Sequence, residues 1–345
     1  MVHHVTVSRA LKVFDGHNDV LLADRSFAAR SDEGHLDLAR AREGGFAGGF
    51  FAIFAPHPDG FAPGGERSAD TPPEPAITHA RALRCTLAGV GELLALEAEG
   101  AVRIVRSEQD LELDGTVRAV MHVEGAEAVA PDLGNLAALH ALGLRSLGIT
   151  WSRPNAFGHG VPFAQPSSPD TGPGLTDAGR ALVRACEELG ILVDLAHLNE
   201  RGFWDAAAIS DRPLVVTHAC AHALVPSARN LTDAQLDAVA GSGGVVGVCF
   251  HYEDAGPRRE DIARHVDHIG RRLGPEHVAL GSDFDGALMP DGMRGAQDLP
   301  LVLDDLRALG WGEDELRLVA HENFLRVLRQ AQNAASSRAK PTGSS

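Results

Sequence analysis

Apolar residues along this chain gather into eight short runs separated by longer stretches of helical periodicity. The runs are LKVFDGHNDV, GGFFAIFA, VRAVMHVEG, LRSLGITW, ILVDLAHL, PLVVTHA, GVVGVCFHY and HVALGSDFDG. They are rich in Val, Ile, Leu and Phe without strict alternation, the pattern of parallel strands buried on both faces. Helix signals fill the intervals. Thr176 and Asp177 open TDAGRALVRACEELG, which ends at Gly190 just before the next run. Thr232 with Gln235 three residues later forms a capping-box pattern at the head of TDAQLDAVAG. Further helices are predicted over 76–100, 260–273 and 299–310. The Pro- and Gly-rich stretches 56–75 and 155–174 predict long loops over one face.

Eight strands alternating with helices predict a (β/α)8 TIM-type barrel, although an open doubly wound sheet fits the alternation nearly as well. One catalytic barrel is expected over 1–332, with AASSRAKPTGSS placing a disordered tail at 333–345.

The polar residues choose between the two folds. His17 and Asp19 close the first run, Glu124 the third, His197 the fifth, His218 the sixth, and Asp283 with Asp285 the eighth. In a strand, residues i and i+2 face the same way, so His17 and Asp19 can present ligands together. Closing the sheet brings these ends around one mouth, where the catalytic residues of a barrel sit. An open sheet would spread them too widely to meet. Any one of them alone is unremarkable: His197 fits a core histidine, and GSDFDG an Asp-rich turn. The set at successive strand ends points to metal. Three imidazoles with two or three carboxylates exceed the four ligands of one tetrahedral zinc. They suit two ions about 3.5–4 Å apart, bridged by a carboxylate and a hydroxide. Imidazole with carboxylate favours zinc, with manganese, iron or cobalt compatible. His122, His140, His159, His222, His251 and His321 are left as core or surface residues, His251 and His159 being those placed to reach the pocket.

Composition narrows the partners. The 345 residues are 44% hydrophobic and 23% charged, with formal net charge −16, which argues against nucleic acid or an anionic membrane. Cys85, Cys186, Cys220 and Cys249 are scattered without a CxxC pair, so no thiolate structural site is expected. No run approaches the roughly 18 apolar residues of a membrane span, and the opening segment has no signal-peptide core, so a cytoplasmic location is expected.

The stretches DGHNDV, HVEGAE, DLAHLNE, VVTHA, ARNLTD and GSDFDG resemble the membrane (renal) dipeptidase family, zinc peptidases related to the amidohydrolases. The similarity runs from about residue 14 to 328. It implies two Zn2+ ions, one on His17, Asp19 and Glu124, the other on Glu124, His197 and His218. It also implies a metal-bridging hydroxide as nucleophile, Asp283 as proton carrier, Arg229 of ARNLTD as the holder of a dipeptide's carboxylate, and a homodimer. A guanidinium fork suits that carboxylate. One departure stands out. Well-known members carry a substrate-contacting histidine where GITWSRPNAFGHG places Trp151. An indole can donate one hydrogen bond and offer an apolar wall, but carries no charge; Arg153, Asn155 and His159 are the nearby candidates to compensate. The alternatives are a binuclear hydrolase of another amide, a lactone or an amine, and a non-catalytic metal- or ligand-binding barrel.

Overall fold

A computed structural model of the chain describes residues 11–59 and 67–338. Nine parallel strands form its centre: β1 Val13–Asn18, β2 Phe46–Phe54, β3 Val102–Ile104, β4 Val117–Glu124, β5 Leu144–Gly148, β6 Leu192–Asp194, β7 Val215–Ala219, β8 Val245–Cys249 and β9 Val278–Gly281. The hydrogen-bonded order is β1-β2-β4-β5-β6-β7-β8-β9. A parallel bridge from Asn18 to Phe284 closes the ring, with Asp19 N–H on Phe284 O (2.8 Å) and Asp283 N–H on His17 O (2.9 Å). The eight predicted runs supply the eight staves of the barrel. The extra strand, β3, pairs with β4 over 117–119, below the point where β5 takes over at Met121.

The helices follow their sequence signals. Thr176 caps Asp177–Leu189 by accepting the Gly179 N–H at 3.0 Å, and Gly190 ends it in the left-handed region. Its Leu182, Val183 and Cys186 face inward at the spacing of one helix face. Thr232 and Gln235 complete their capping box, with Thr232 N–H on Gln235 Oε1 at 2.9 Å. The predicted helices over 76–100, 260–273 and 299–310 are His79–Ala98, Arg259–Leu273 and Leu299–Ala308. The last helix, Asn323–Arg338, runs past residue 332. The boundary expected there falls inside a helix, because NAASSR extends the helix-compatible pattern before the Lys-Pro step; residues 339–345 lie outside the described residues.

Near the amino-terminal end of the strands the lumen is packed by Phe14, Phe50, Val120, Val215, Val245 and Phe324. Phe324 enters from the last helix, its ring centroid 5.2 Å from that of Phe50. At Gly16 and Gly247 a Cβ would lie 2.6 and 2.9 Å from a Phe324 ring carbon, so only a residue without a side chain lets the strands close around this plug. A ring buried this fully contributes roughly 2–3 kcal/mol over an exposed one. The floor of the barrel is thereby shut. Among the described residues no helix is long and apolar enough to cross a membrane.

Candidate metal centre

The five predicted donors meet at the carboxyl-terminal mouth of the barrel. His17 lies on β1 and Asp19 just beyond it, and their shared side sets His17 Nε2 3.4 Å from Asp19 Oδ2. Glu124 ends β4. Its Oε1 is 3.7 Å from His17 Nε2, 3.1 Å from His197 Nε2 and 3.5 Å from His218 Nε2. One carboxylate oxygen therefore faces all three imidazoles. His218 lies within β7, whereas His197 sits three residues beyond the end of β6, in a turn with φ of 62°. Asp283 follows β9, and its carboxylate closes a second donor group with His17 and Asp19.

Three of the four described non-glycine residues at positive φ are His197, Asp283 (59°) and Asp285 (68°). Each such conformation costs on the order of 1–3 kcal/mol and persists where the surroundings over-determine it. Here it turns the chain sharply at the strand ends, so that the side chains face the mouth. Gly286 completes the β9 turn: a Cβ there would collide with Asp19 Oδ2 and lie 2.7 Å from Asp283 Oδ1. Asp285 has another task, pairing with Arg25 and accepting His35 N–H at 2.6 Å, which fastens the loop after β1.

The donor set fits divalent metal. His17 Nε2 is buried, aimed at two carboxylates, and has no hydrogen-bond partner among the described residues. His197 Nε2 and His218 Nε2 face each other at 3.1 Å beside the same Glu124 oxygen. Their Nδ1 atoms meet hydroxyls, Ser152 Oγ at 2.8 Å and Thr217 Oγ1 at 2.9 Å, leaving the Nε2 side for the centre. Electrostatics divides the donors into groups that hold a proton and imidazoles kept neutral. Burial opposes protonation of His17, but Glu124 and Asp19 outweigh it and raise its pKa to about 10. Burial lifts Glu124 to about 8, with His17 pulling the other way. Burial holds His197 and His218 well below the ordinary histidine value, reinforced by the Arg229 and His17 charges. Asp283 rises to about 6 through burial and the neighbouring Asp19.

Above the centre opens a cleft of about 310 Å³. Two guanidiniums line it. Arg67, which the sequence did not single out, is occupied by Glu253, Asp254 Oδ1 (3.0 Å) and His251 Nδ1 (3.1 Å), and covers the Phe163 ring at 4.9 Å. Arg229 is buried, and its side chain donates to the His218 carbonyl at 3.2 Å. Among the described residues it has no carboxylate partner. Burial pushes Asp254 up, but the His251 hydrogen bond and Arg67 prevail and hold it below the usual carboxylate range.

Trp151 forms the wall beside His197. Its ring lies 4.7 Å from Phe54, 5.4 Å from Phe163 and 5.9 Å from His197. Arg153 supports it from behind, over both Trp151 (5.2 Å) and Phe54 (5.0 Å), and is neutralised by Glu127 at 2.6 Å. Asn155 accepts the N–H groups of its own turn, and His159 lies toward Gly174, so none of the three candidates faces the cleft in place of the family histidine. His251 lines the cleft; His159 does not. Phe54, Arg67 and Phe163 come from a strand end and loops whose sequence has no pattern announcing them.

A family model described as membrane dipeptidase (peptidase family M19) matches residues 2–342. Among solved structures, a Rhodobacter sphaeroides metallo peptidase liganded with a phosphinate mimic of the dipeptide L-Ala-D-Ala is 45% identical, with a TM-score of 0.88 over 94% of this chain and 100% of that one. A dipeptidase AC, a metallo peptidase of family M19, is 46% identical, with a TM-score of 0.87 over 94% and 99%. A protein encoded in the pqqA 5′ region of Klebsiella pneumoniae is 43% identical over 254 residues, spanning 70% of this chain and 93% of its own.

Proposed function

This chain belongs to the membrane dipeptidase family, peptidase family M19, and from that premise we propose that it hydrolyses dipeptides at a two-zinc centre held by His17, Asp19, Glu124, His197 and His218. Glu124 is the shared ligand; its Oε1 within 3.7 Å of all three imidazoles supports that role. Ions bound there would supply acidified water near neutral pH and Lewis-acid pull on a carbonyl. The chain's own residues do the rest. Asp283, at the rim beside Asp19, takes the proton of the attacking water and hands it to the leaving amine. Arg229 fixes the substrate's terminal carboxylate, and the fixed distance from there to the centre limits the substrate to two residues. Trp151, with Phe54 and Phe163, walls one side of the cleft and excludes water from it.

The observation that carries the substrate assignment is Arg229, a buried guanidinium in the cleft whose side chain, among the described residues, donates to a backbone carbonyl and forms no ion pair with a carboxylate. Its test is a library of L,L and L,D dipeptides with zinc-loaded protein, each also supplied as the C-terminal amide. Arg229→Ala is expected to raise KM for free dipeptides roughly 10- to 100-fold, the worth of a charge-assisted contact, and to leave the amides unchanged. Equal cleavage of acids and amides by the parent, or an unchanged KM in the variant, overturns the reading. Trp151 in place of a charged residue favours one variation, an amide of an amino acid with an apolar acyl group, and N-acyl amino acids in the same library decide it.

A further inference from the structure

Beneath the centre, β6 and β7 share a single register pair, Asp194 with Val215, and a side chain replaces the missing ladder. Asp194 is fully buried. Its Oδ1 accepts the N–H groups of Thr217 (2.8 Å) and Ala196 (3.0 Å), and its Oδ2 accepts the Thr217 hydroxyl (2.7 Å). A hydroxyl has one proton to give. Thr217 gives it to a carboxylate, so its oxygen must accept from the other neighbour, His218 Nδ1, at 2.9 Å. His218 is thereby fixed as the Nδ1–H tautomer, with the Nε2 lone pair turned toward Glu124 Oε1 (3.5 Å) and His197 Nε2 (3.1 Å).

The other two imidazoles are held differently. His197 Nδ1 meets Ser152 Oγ at 2.8 Å, and among the described residues no carboxylate stands behind that hydroxyl to set its direction. His17 Nδ1 is buried with no hydrogen-bond partner among the described residues. One ligand of three thus has its protonation side and ring orientation dictated from below.

We propose that the Asp194–Thr217 pair is a positioning device for His218 that sets the metal affinity of the His197–His218 position separately from that of the His17–Asp19 position. The inference rests on the two-ion reading above. A carboxylate acting through a hydroxyl makes the Nδ1–H bond charge-assisted, raises the basicity of Nε2 and removes the wrong tautomer. Thr217→Val keeps the shape and the backbone N–H but deletes the relay. Asp194→Asn is the sharper change. Its amide donates to the Thr217 oxygen, so the hydroxyl proton swings toward His218 Nδ1 and drives the imidazole to Nε2–H, facing the metal.

The test measures metal directly: stoichiometry after dialysis, competition against a chelator, and the visible spectrum of the Co2+-loaded protein. Thr217→Val and Asp194→Asn are each expected to weaken one ion about 10- to 100-fold while the second keeps its parental affinity. Thr217→Ser is expected to restore the parental curve, and Ser152→Ala to change it less than Thr217→Val does. Parental binding in both relay variants, equal weakening of both ions, or failure of the serine variant to rescue overturns the inference. If Thr217→Val does not fold, Asp194→Asn carries the measurement, since it preserves volume and the oxygen that accepts the Thr217 and Ala196 N–H groups. If the parent binds a single ion, the two-ion reading and the separation of the two affinities fall together, and parental affinity for that ion in the relay variants overturns the positioning of His218 as well.

Discussion

Two seams of the barrel are closed by the same pair of groups. Where β1 meets the turn after β9, Asp15 accepts the Ser282 N–H at 2.7 Å and the Ser282 hydroxyl at 2.9 Å. Where β6 meets β7, Asp194 accepts the Thr217 N–H at 2.8 Å and its hydroxyl at 2.7 Å. Both carboxylates are fully buried, and burial raises the pKa of each. The difference lies in what else the hydroxyl touches. Ser282 Oγ has the His17 carbonyl at 3.1 Å, a backbone group that asks nothing of the centre. Thr217 Oγ1 has an imidazole nitrogen. An identical clasp is therefore mechanical at one seam and chemical at the other, and the third partner decides which.

The comparison breaks most visibly at the carboxylates. Asp15→Ala strands the buried Ser282 N–H and Asp194→Ala the N–H groups of Thr217 and Ala196, while each hydroxyl loses its carboxylate acceptor. Each variant is expected to lower stability by about 2–4 kcal/mol in urea unfolding of chelator-treated protein. Parental stability in either variant would mean that its seam is held by the strands alone.

Next comes a pH effect on the β7 side. His265 Nδ1 accepts the Ala221 N–H (3.1 Å) two residues past β7, and its Nε2 donates to Ala255 O (3.0 Å). That pattern needs the neutral ring. Burial lowers its pKa to about 4, despite the Ala255 carbonyl favouring the cation. Between this value and the ordinary one near 6.5, the unfolded chain binds the extra proton. Stability is therefore complete above about pH 6.5 and is lost as pH falls toward 4, by on the order of 3 kcal/mol. His265→Gln keeps an acceptor and a donor and is expected to flatten this part of the profile, compared by urea midpoints at about pH 7 and about pH 4.5. An unchanged slope would assign the acid sensitivity elsewhere.

The smallest effect sharpens the contrast itself. Ser282→Ala is expected to cost about 1 kcal/mol in unfolding and to leave both metal affinities at parental values. Any loss of metal in this variant would make the two seams alike after all.

What could be seen in the sequence divides along the same line. The eight staves were legible because a strand buried on both faces must be written as an apolar run. The cluster of imidazoles and carboxylates at the mouth was legible because a buried run rarely ends on a charged or imidazole side chain unless that side chain binds something. β3 was not legible: three residues with an exposed Arg103 at the centre leave no run to recognise. DLAHL displays His197, but nothing in its letters says that the Asp194 carboxylate turns across to Thr217. GSDFDG offers two aspartates of equal promise by pattern; the resemblance singles out Asp283, and the fold sends Asp285 to Arg25 and His35. Arg67 and Phe163 lie in stretches without periodicity, so the side of the cleft they build beside Trp151 emerges only when the loops fold over the barrel.

Phe324, seated beneath Gly16 and Gly247, has a consequence for traffic. With the floor plugged, the described residues leave the centre open through the cleft past Leu22 and Arg67, and what enters there returns the same way. A cleaved substrate leaves as two separate molecules through a doorway that the next substrate needs. Turnover then includes a queue, and the aromatic wall that helps a ligand settle also governs how promptly its fragments depart.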